Sequence, residues 1–314
     1  MVTLAAPAKS DRRRPPRPGT GPGDRAVARP GLGWALPATL FFALFAIVPL
    51  LLVAVLSFVS WGGIGAPEFV GLDNWVTLLH DPVMIKSLWL SVLLTALGVV
   101  TQTPLSILLG VWAAGPQRNR AVLSAIFFVP LLLSATAVSV LWRALLDPNF
   151  GVPAQARWLF GDGNLLGSRT GAIAVLVLVG TWQFTPLHTL IYQGATRAIP
   201  EVLYQAAAID GAGTVRQFFH ITLPQLRNSV ITSVILMVVG GLTTFDTVLI
   251  LTQGGPGTET TISAFYMYQK AFKSFDFGAG AAIALLLVIV ATMISLVVVR
   301  LSGYDRMASP KEGL

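Results

Sequence analysis

The chain has 314 residues, 54% hydrophobic and 11% charged, and its mean hydropathy of +0.73 leaves too little polar surface for a soluble protein of this size. A net charge of +7 would suit a nucleic-acid binder only if it covered a soluble domain, and its distribution excludes that partner. With no cysteine, disulfides and thiolate chemistry are excluded, while the redox compartment stays open.

Residues 1–33 are rich in Arg, Pro and Gly without an apolar period, and are expected to form a disordered basic tail. Six continuous apolar segments follow, at about 36–59, 87–113, 122–145, 170–193, 229–251 and 278–300. Each meets the roughly 20 residues needed to cross a bilayer as a helix, and none alternates as a barrel strand would. The first is too long for a signal-peptide core and lacks a small-residue cleavage site before Trp61, so it counts as a span. The domain plan is therefore a tail 1–33, a transmembrane region 34–302 with a polar connection at 194–228, and a second tail 303–314.

Charge sets the expected orientation. With a cytoplasmic N-terminus, fifteen of the 21 Lys and Arg residues fall on the cytoplasmic side, while Lys86, Arg143, Arg157, Arg169, Lys270 and Lys273 fall on the other. The positive-inside rule then puts both termini in the cytoplasm. Without the N-terminal tail the bias is narrow.

Several kinds of chemistry find no support. There is no G-x-x-x-x-G-K-[ST] phosphate loop, and neither Gly19–Gly23 nor Gly254–Gly257 is followed by the required Lys. ATP hydrolysis, a resident cofactor and a catalytic site are not expected. His80, His188 and His220 are too scattered for a metal site, and no Ser, His and Asp trio shares a face. Within the spans, only His188 and Asp246 could serve ion coupling. A proton-coupled secondary transporter using that pair is one rival reading, and a membrane scaffold without transport is another.

The polar connection carries most of the information. Pro200 to Ala208 favours a helix, with Pro at its start, Glu201 in its first turn and alanines after it. Asp210-Gly211 breaks that helix. A second segment, Ala212 to Leu223, carries Val215, Phe218, Phe219 and Ile221 and stops before Pro224. Two short helices meeting at a corner form a knob suited to a partner's cleft.

That knob, Leu203-Tyr204-Gln205-Ala206-Ala207-Ala208-Ile209-Asp210-Gly211-Ala212 followed by Ile221-Thr222-Leu223-Pro224, resembles the "EAA" loop of ATP-binding-cassette importer permeases. Other stretches agree in order and spacing: Phe69 to Trp75, Asp81-Pro82, Leu141-Trp142-Arg143, Thr181-Trp182 with Pro186, Ile199-Pro200, and Leu251 to Gly257. From about Leu36 to Arg300 the chain is similar to the maltose-permease-like first subunit of binding-protein-dependent sugar importers. One departure is Gln205, where the family usually has a Glu that meets a basic residue on the ATPase. An amide keeps the hydrogen bond but loses its charge assistance.

The resemblance implies an all-α, six-helix, type I importer permease in the cytoplasmic (inner) membrane, multi-pass. Its implied partners are a second permease, two ATPase subunits that bind ATP-Mg, an extracytoplasmic sugar-binding protein and the lipid bilayer. ATPase coupling would rest on Glu201, Tyr204, Gln205, Ala206, Ala207, Asp210, Gly211, Ala212 and Phe218. Carried over by position, the substrate pathway would take Gly180, Gln183, Phe184 and Leu187 from the fourth span and Met237, Gly240, Gly241 and Thr244 from the fifth. Trp182, Thr243 and Phe245 add the aromatic and neutral polar groups that suit sugars, and Asp246 would line the path. The substrate implied is a carbohydrate, a di- or oligosaccharide, moved by alternating access; glycerol-phosphate or polyol import is the alternative within the class. The small residues Gly278 to Ala282 suggest a close-packed subunit interface.

Overall fold

The computed structural model describes residues 32–115, 118–160 and 163–302, and these divide into two compact units, 1–50 and 51–314. Most of the expected N-terminal tail and all of the C-terminal one lie outside the described residues; Leu32–Trp34 form a short 3-10 turn.

The first unit contains most of helix α1, Leu36–Leu56, which has a π-helical turn at Ala43–Ile47. Phe41, Phe42, Phe45 and Leu51 are all exposed. A helix apolar on every side needs lipid or another apolar surface around it.

In the second unit, a two-stranded antiparallel ribbon pairs β1, Val59–Ser60, with β2, Glu68–Phe69. Helix α2, Asp73–His80, follows. The Asn74 amide donates to the carbonyls of Ser57 (3.0 Å) and Val59 (2.9 Å), which explains the polar Asp73-Asn74-Trp75 run. Asp81 then caps helix α3, Pro82–Ala113, its Oδ1 accepting from the Val83 and Met84 N–H groups.

The third expected span, 122–145, is not one helix. It is α4, Arg118–Phe127, then α5, Val129–Leu132, then α6, Ala135–Leu145. Pro130 supplies no N–H to continue the ladder. Leu133 is extended, and Ser134 opens α6 as its N-cap, accepting from Ala137 N–H at 3.1 Å. Sidechain-to-backbone capping has outcompeted helix continuation.

Helix α7, Arg169–Arg197, runs along α3. Gly110 of α3 lets the two approach, since a Cβ there would lie 2.7 Å from the Tyr192 Cβ. Gln193 Nε2 donates to the Ala113 carbonyl at 2.9 Å, and Ser106 Oγ donates to the Thr185 carbonyl at 3.3 Å.

Helix α8, Glu201–Ile209, and helix α9, Thr214–Gln217, extended by a π turn at Phe218–Thr222, form the expected corner. Helix α10, Arg227–Thr243, ends early: Thr244 is extended, and helical structure resumes at Asp246 and runs into the π turn Val248–Thr252. Gly240 and Gly241 weaken the helix. The hydroxyls of Thr243 and Thr244 bond back to the carbonyls of Val239 (2.8 Å) and Gly240 (2.7 Å), competing locally with the ladder. Helix α11, Ser263–Tyr268, and helix α12, Phe277–Ser302, complete the unit. Among the described residues, five helices are long and apolar enough to span a membrane, α10 being counted through its break to Thr252, with α6 as a shorter apolar one. The fifth expected span, 229–251, is thus interrupted about two-thirds of the way along, which hydrocarbon tolerates only where the backbone lines a cavity or is covered by protein.

The small residues opening α12 pack inside this chain rather than waiting for a partner. A side chain at Gly278 would collide with the Val59 carbonyl oxygen, and one at Gly280 would lie 2.7 Å from the Ala271 Cβ. Ala282 and Ile283 are wholly buried beside Leu78 and Met84.

Candidate functional site

Three helices, α3, α7 and α10, with the segment that follows α10, line a half-open cavity of about 430 Å³, within the roughly 300–1,000 Å³ typical of small-molecule sites. Gly180, Phe184 and Leu187 of α7 line it, with Met237, Gly240, Gly241, Thr243, Thr244 and Asp246 from α10 and its break. The two adjacent glycines differ in role. A Cβ at Gly241 would sit 2.7 Å from Thr95 Oγ1, whereas one at Gly240 or Gly180 would meet nothing within 4 Å. Gly241 therefore brings α10 against α3, and Gly240 and Gly180 leave space.

The remaining three expected residues lie elsewhere. Trp182 turns to the opposite side of α7, edge-to-face with Trp142 at 5.7 Å between ring centroids. Gln183 is buried, with its Nε2 3.5 Å from the Leu133 carbonyl at the α5–α6 break. Phe245 packs on Tyr268, 5.6 Å between centroids. Sequence position could not separate these from their neighbours, because a helix turns about 100° per residue and an adjacent aromatic faces the core.

Sequence reasoning also missed a wall. Ser91, Thr95, Gly98 and Gln102 of α3 line the cavity together with His188 and Thr247. The signal was present: Ser87, Ser91, Thr95, Gly98, Gln102 and Ser106 recur every three or four residues along an apolar helix. Elsewhere between α3 and α7, Thr101 Oγ1 meets Thr181 Oγ1 at 2.9 Å. Among the described residues lining the cavity there is no Lys or Arg, and Asp246 is the one carboxylate.

At the α8–α9 corner, Gly211 has φ +75°. The Ala212 N–H reaches the Ala207 carbonyl (2.8 Å) and the Gly211 N–H that of Ala208 (3.1 Å), the hydrogen-bond pair of a Schellman cap. Gln217 Nε2 closes the corner onto the Ala212 carbonyl at 2.9 Å. Tyr204 is tied by its hydroxyl to Thr222 Oγ1 at 2.9 Å, and Phe218 packs beneath against Tyr192 and Leu226. Glu201, Gln205, Ala206 and Asp210 stay exposed. So do apolar side chains, Ile209 at 87% and Val215 at 71%, on a surface otherwise suited to water.

Around the other end of the cavity's helices, charged groups join separate segments. Glu259 accepts from Lys86 Nζ at 2.6 Å and lies 3.2 Å from Arg169 Nε; the Lys86 hydrogen bond first, and then both cations, hold its carboxyl below the ordinary value. Tyr266 donates its hydroxyl to Asp81 Oδ2, with Lys270 4.0 Å from the same oxygen. Burial opposes the Asp81 carboxylate, but Tyr266, the two capping N–H groups and Lys270 outweigh it and lower its pKa. Burial, reinforced by Asp81, raises that of Tyr266.

The family described as "Binding-protein-dependent transport system inner membrane component" matches residues 106–304. The probable ABC transporter permease protein YurN of Bacillus subtilis is 32% identical over 273 residues, 83% of this chain and 92% of that protein. The multiple sugar-binding transport system permease protein MsmF of Streptococcus mutans is 32% identical, over 82% and 93% of the two chains. Among solved structures, a chain of a bacterial alginate ABC transporter, crystallised with an alginate pentasaccharide-bound periplasmic protein, aligns with a TM-score of 0.75 at 21% identity, over 86% of this chain and 92% of that one. That last likeness establishes a shared fold.

Proposed function

This chain belongs to the family of binding-protein-dependent transport system inner membrane components, and we propose that it is the first permease of a carbohydrate importer, passing a di- or oligosaccharide through the cavity between α3, α7 and α10. It is a multi-pass inner-membrane permease subunit rather than an enzyme. The observation that carries the substrate reading is the cavity's chemistry: a largely apolar wall set with hydroxyls, an amide, an imidazole and one carboxylate, and no Lys or Arg among its described lining residues. Neutral polar groups match sugar hydroxyls, whereas a glycerol phosphate would be held by cations.

In this reading a second permease completes the pathway, an external binding protein delivers the solute, and two ATPases dock on the cytoplasmic α8–α9 knob. Exposed Ile209 and Val215 would fill an ATPase cleft, and Gln205 and Asp210 would hydrogen-bond at its rim. Closure of the ATPases would push the knob and, through Phe218 and Tyr204, tilt α7 and α10 around the cavity.

The test is uptake of radiolabelled maltose, raffinose and glycerol 3-phosphate by cells carrying the full system, with and without its external binding protein and with ATP depleted. Sugar uptake that needs both is expected; uptake of glycerol 3-phosphate alone, or uptake indifferent to ATP, overturns the reading. Gly211→Val tests the knob, because a β-branched residue at positive φ is strained by about 1–3 kcal/mol. The variant should reach the membrane yet bind ATPases weakly or leave hydrolysis uncoupled from import. Normal transport with full ATPase association would remove the knob from the mechanism.

A further inference from the structure

His188 is 3% exposed, yet it forms part of the cavity wall. Its Nδ1 lies 2.8 Å from Ser233 Oγ, across the contact between α7 and α10, and Ser233 is itself wholly buried. That bond commits Nδ1 and fixes the ring plane, which leaves Nε2 as the ring's other polar atom. One turn further along α7, Tyr192 packs with Ile107 and Leu226, its buried hydroxyl turned toward the same Ser233.

An apolar side chain would fill this position at no cost in desolvation. A buried polar ring in a membrane interior is expensive unless something bonds to it, and Ser233 satisfies only one of its two nitrogens. No ion pair among the described residues includes it. Ser233 thus orients the ring, and its second nitrogen is left for an occupant of the cavity beside it.

We propose that His188 is a specificity-determining contact for the solute, its Nε2 hydrogen-bonding one hydroxyl at the end of the cavity nearest the α8–α9 knob, with Ser233 as the residue that positions it. This rests on the reading of the cavity as the passage of a neutral, hydroxyl-rich solute. In either tautomer Nε2 suits a hydroxyl, which both donates and accepts.

Uptake of radiolabelled maltose and raffinose, measured against concentration in cells carrying the full transporter, provides the test. For whichever sugar the parent carries, His188→Leu should raise the apparent KM roughly tenfold, the size of one buried hydrogen bond, with maximal rate little changed. Ser233→Ala should raise KM less, and His188→Gln should restore most of the loss. A fall in maximal rate and in membrane-inserted protein at constant KM, unrescued by Gln, would make the residue structural and overturn the proposal.

If the parent carries neither sugar, it is the assignment of the solute class that fails, and the ring's geometry is judged separately. In ¹⁵N-histidine NMR of the complex in lipid nanodiscs, assigned by loss of the signal in His188→Gln, the Nε2 site should exchange with water and shift in Ser233→Ala. An Nε2 protected from exchange would face protein rather than cavity, and the proposal would fall.

Discussion

Gly240 and Gly241 are neighbours on one helix, but substituting each with Ala should have opposite consequences. At Gly241 the new Cβ would stand 2.7 Å from Thr95 Oγ1, 3.1 Å from its Cγ2 and 3.2 Å from its Cβ. Thr95 has little room to turn: its hydroxyl donates to the Ser91 carbonyl at 2.7 Å, and a β-branched side chain is confined in χ1 within a helix. Relief requires prising α10 from α3, an overpacking cost of about 1–3 kcal/mol, or rotating Thr95 at a loss of about 0.5–1.5 kcal/mol. Both substitutions gain about 1 kcal/mol of helix propensity. At Gly240 nothing opposes that gain, since no atom lies within 4 Å of the added carbon. The propensity cancels in the comparison, so the two variants should differ by about 0.5–3 kcal/mol. At about 2–4 °C per kcal/mol for a domain of this size, that is roughly 1–12 °C in Tm. Thermal unfolding in nanodiscs followed by fluorescence of the 8 tryptophans measures it. Thr95→Ala, which removes Oγ1 and Cγ2, should recover most of the Gly241→Ala loss. Equal Tm values for Gly240→Ala and Gly241→Ala, or a lower one for Gly240→Ala, would refute the assigned roles.

Two other expectations can be checked directly. Because the chain lacks cysteine, a single Cys at Ser10 or Ser309 should be shielded from an impermeant thiol reagent in intact cells, and one at exposed Thr258 labelled; external labelling of Ser309→Cys reverses the orientation. Glu259 gives a pH signature. Its folded pKa is lowered, so its contribution is complete above the unfolded value of about 4.3 and is lost as pH falls through the lower folded value. The parent's Tm should drop more steeply in that acid window than that of Glu259→Gln; parallel profiles would discount the Lys86 and Arg169 pairs.

The long helices were legible in the sequence because length and unbroken apolar composition alone define a membrane span. The corner at Gly211 was legible because an alanine-rich helix running into Asp-Gly has few other outcomes. The breaks were not. Pro130 and Ser134 interrupt one apolar run, and Thr243-Thr244 another, through hydroxyl and capping bonds that hydropathy averages away. The cavity was half legible: position along α7 and α10 found Gly180, Gly240 and Asp246, but not which neighbours rotate toward the core, as Trp182, Gln183 and Phe245 do. The α3 wall was written in a four-residue rhythm of Ser, Thr and Gln that was overlooked because each residue alone is unremarkable in a helix. Asn74 and Gly278 show the limit of reading segments singly, since each makes sense only through the backbone at Ser57 to Val59.

The contrast between Gly241 and Gly278 reaches into how this chain can change over generations. What crowds Gly241 is a side chain, so a mutation at position 95 opens an escape route, and the two sites can drift together through paired substitutions. What crowds Gly278 is the carbonyl oxygen of Val59, an atom that every residue at position 59 would also carry. No compensating replacement can remove it. Position 278 is thus held by the backbone itself and should stay glycine in a saturation library even after every neighbouring side chain has been allowed to vary.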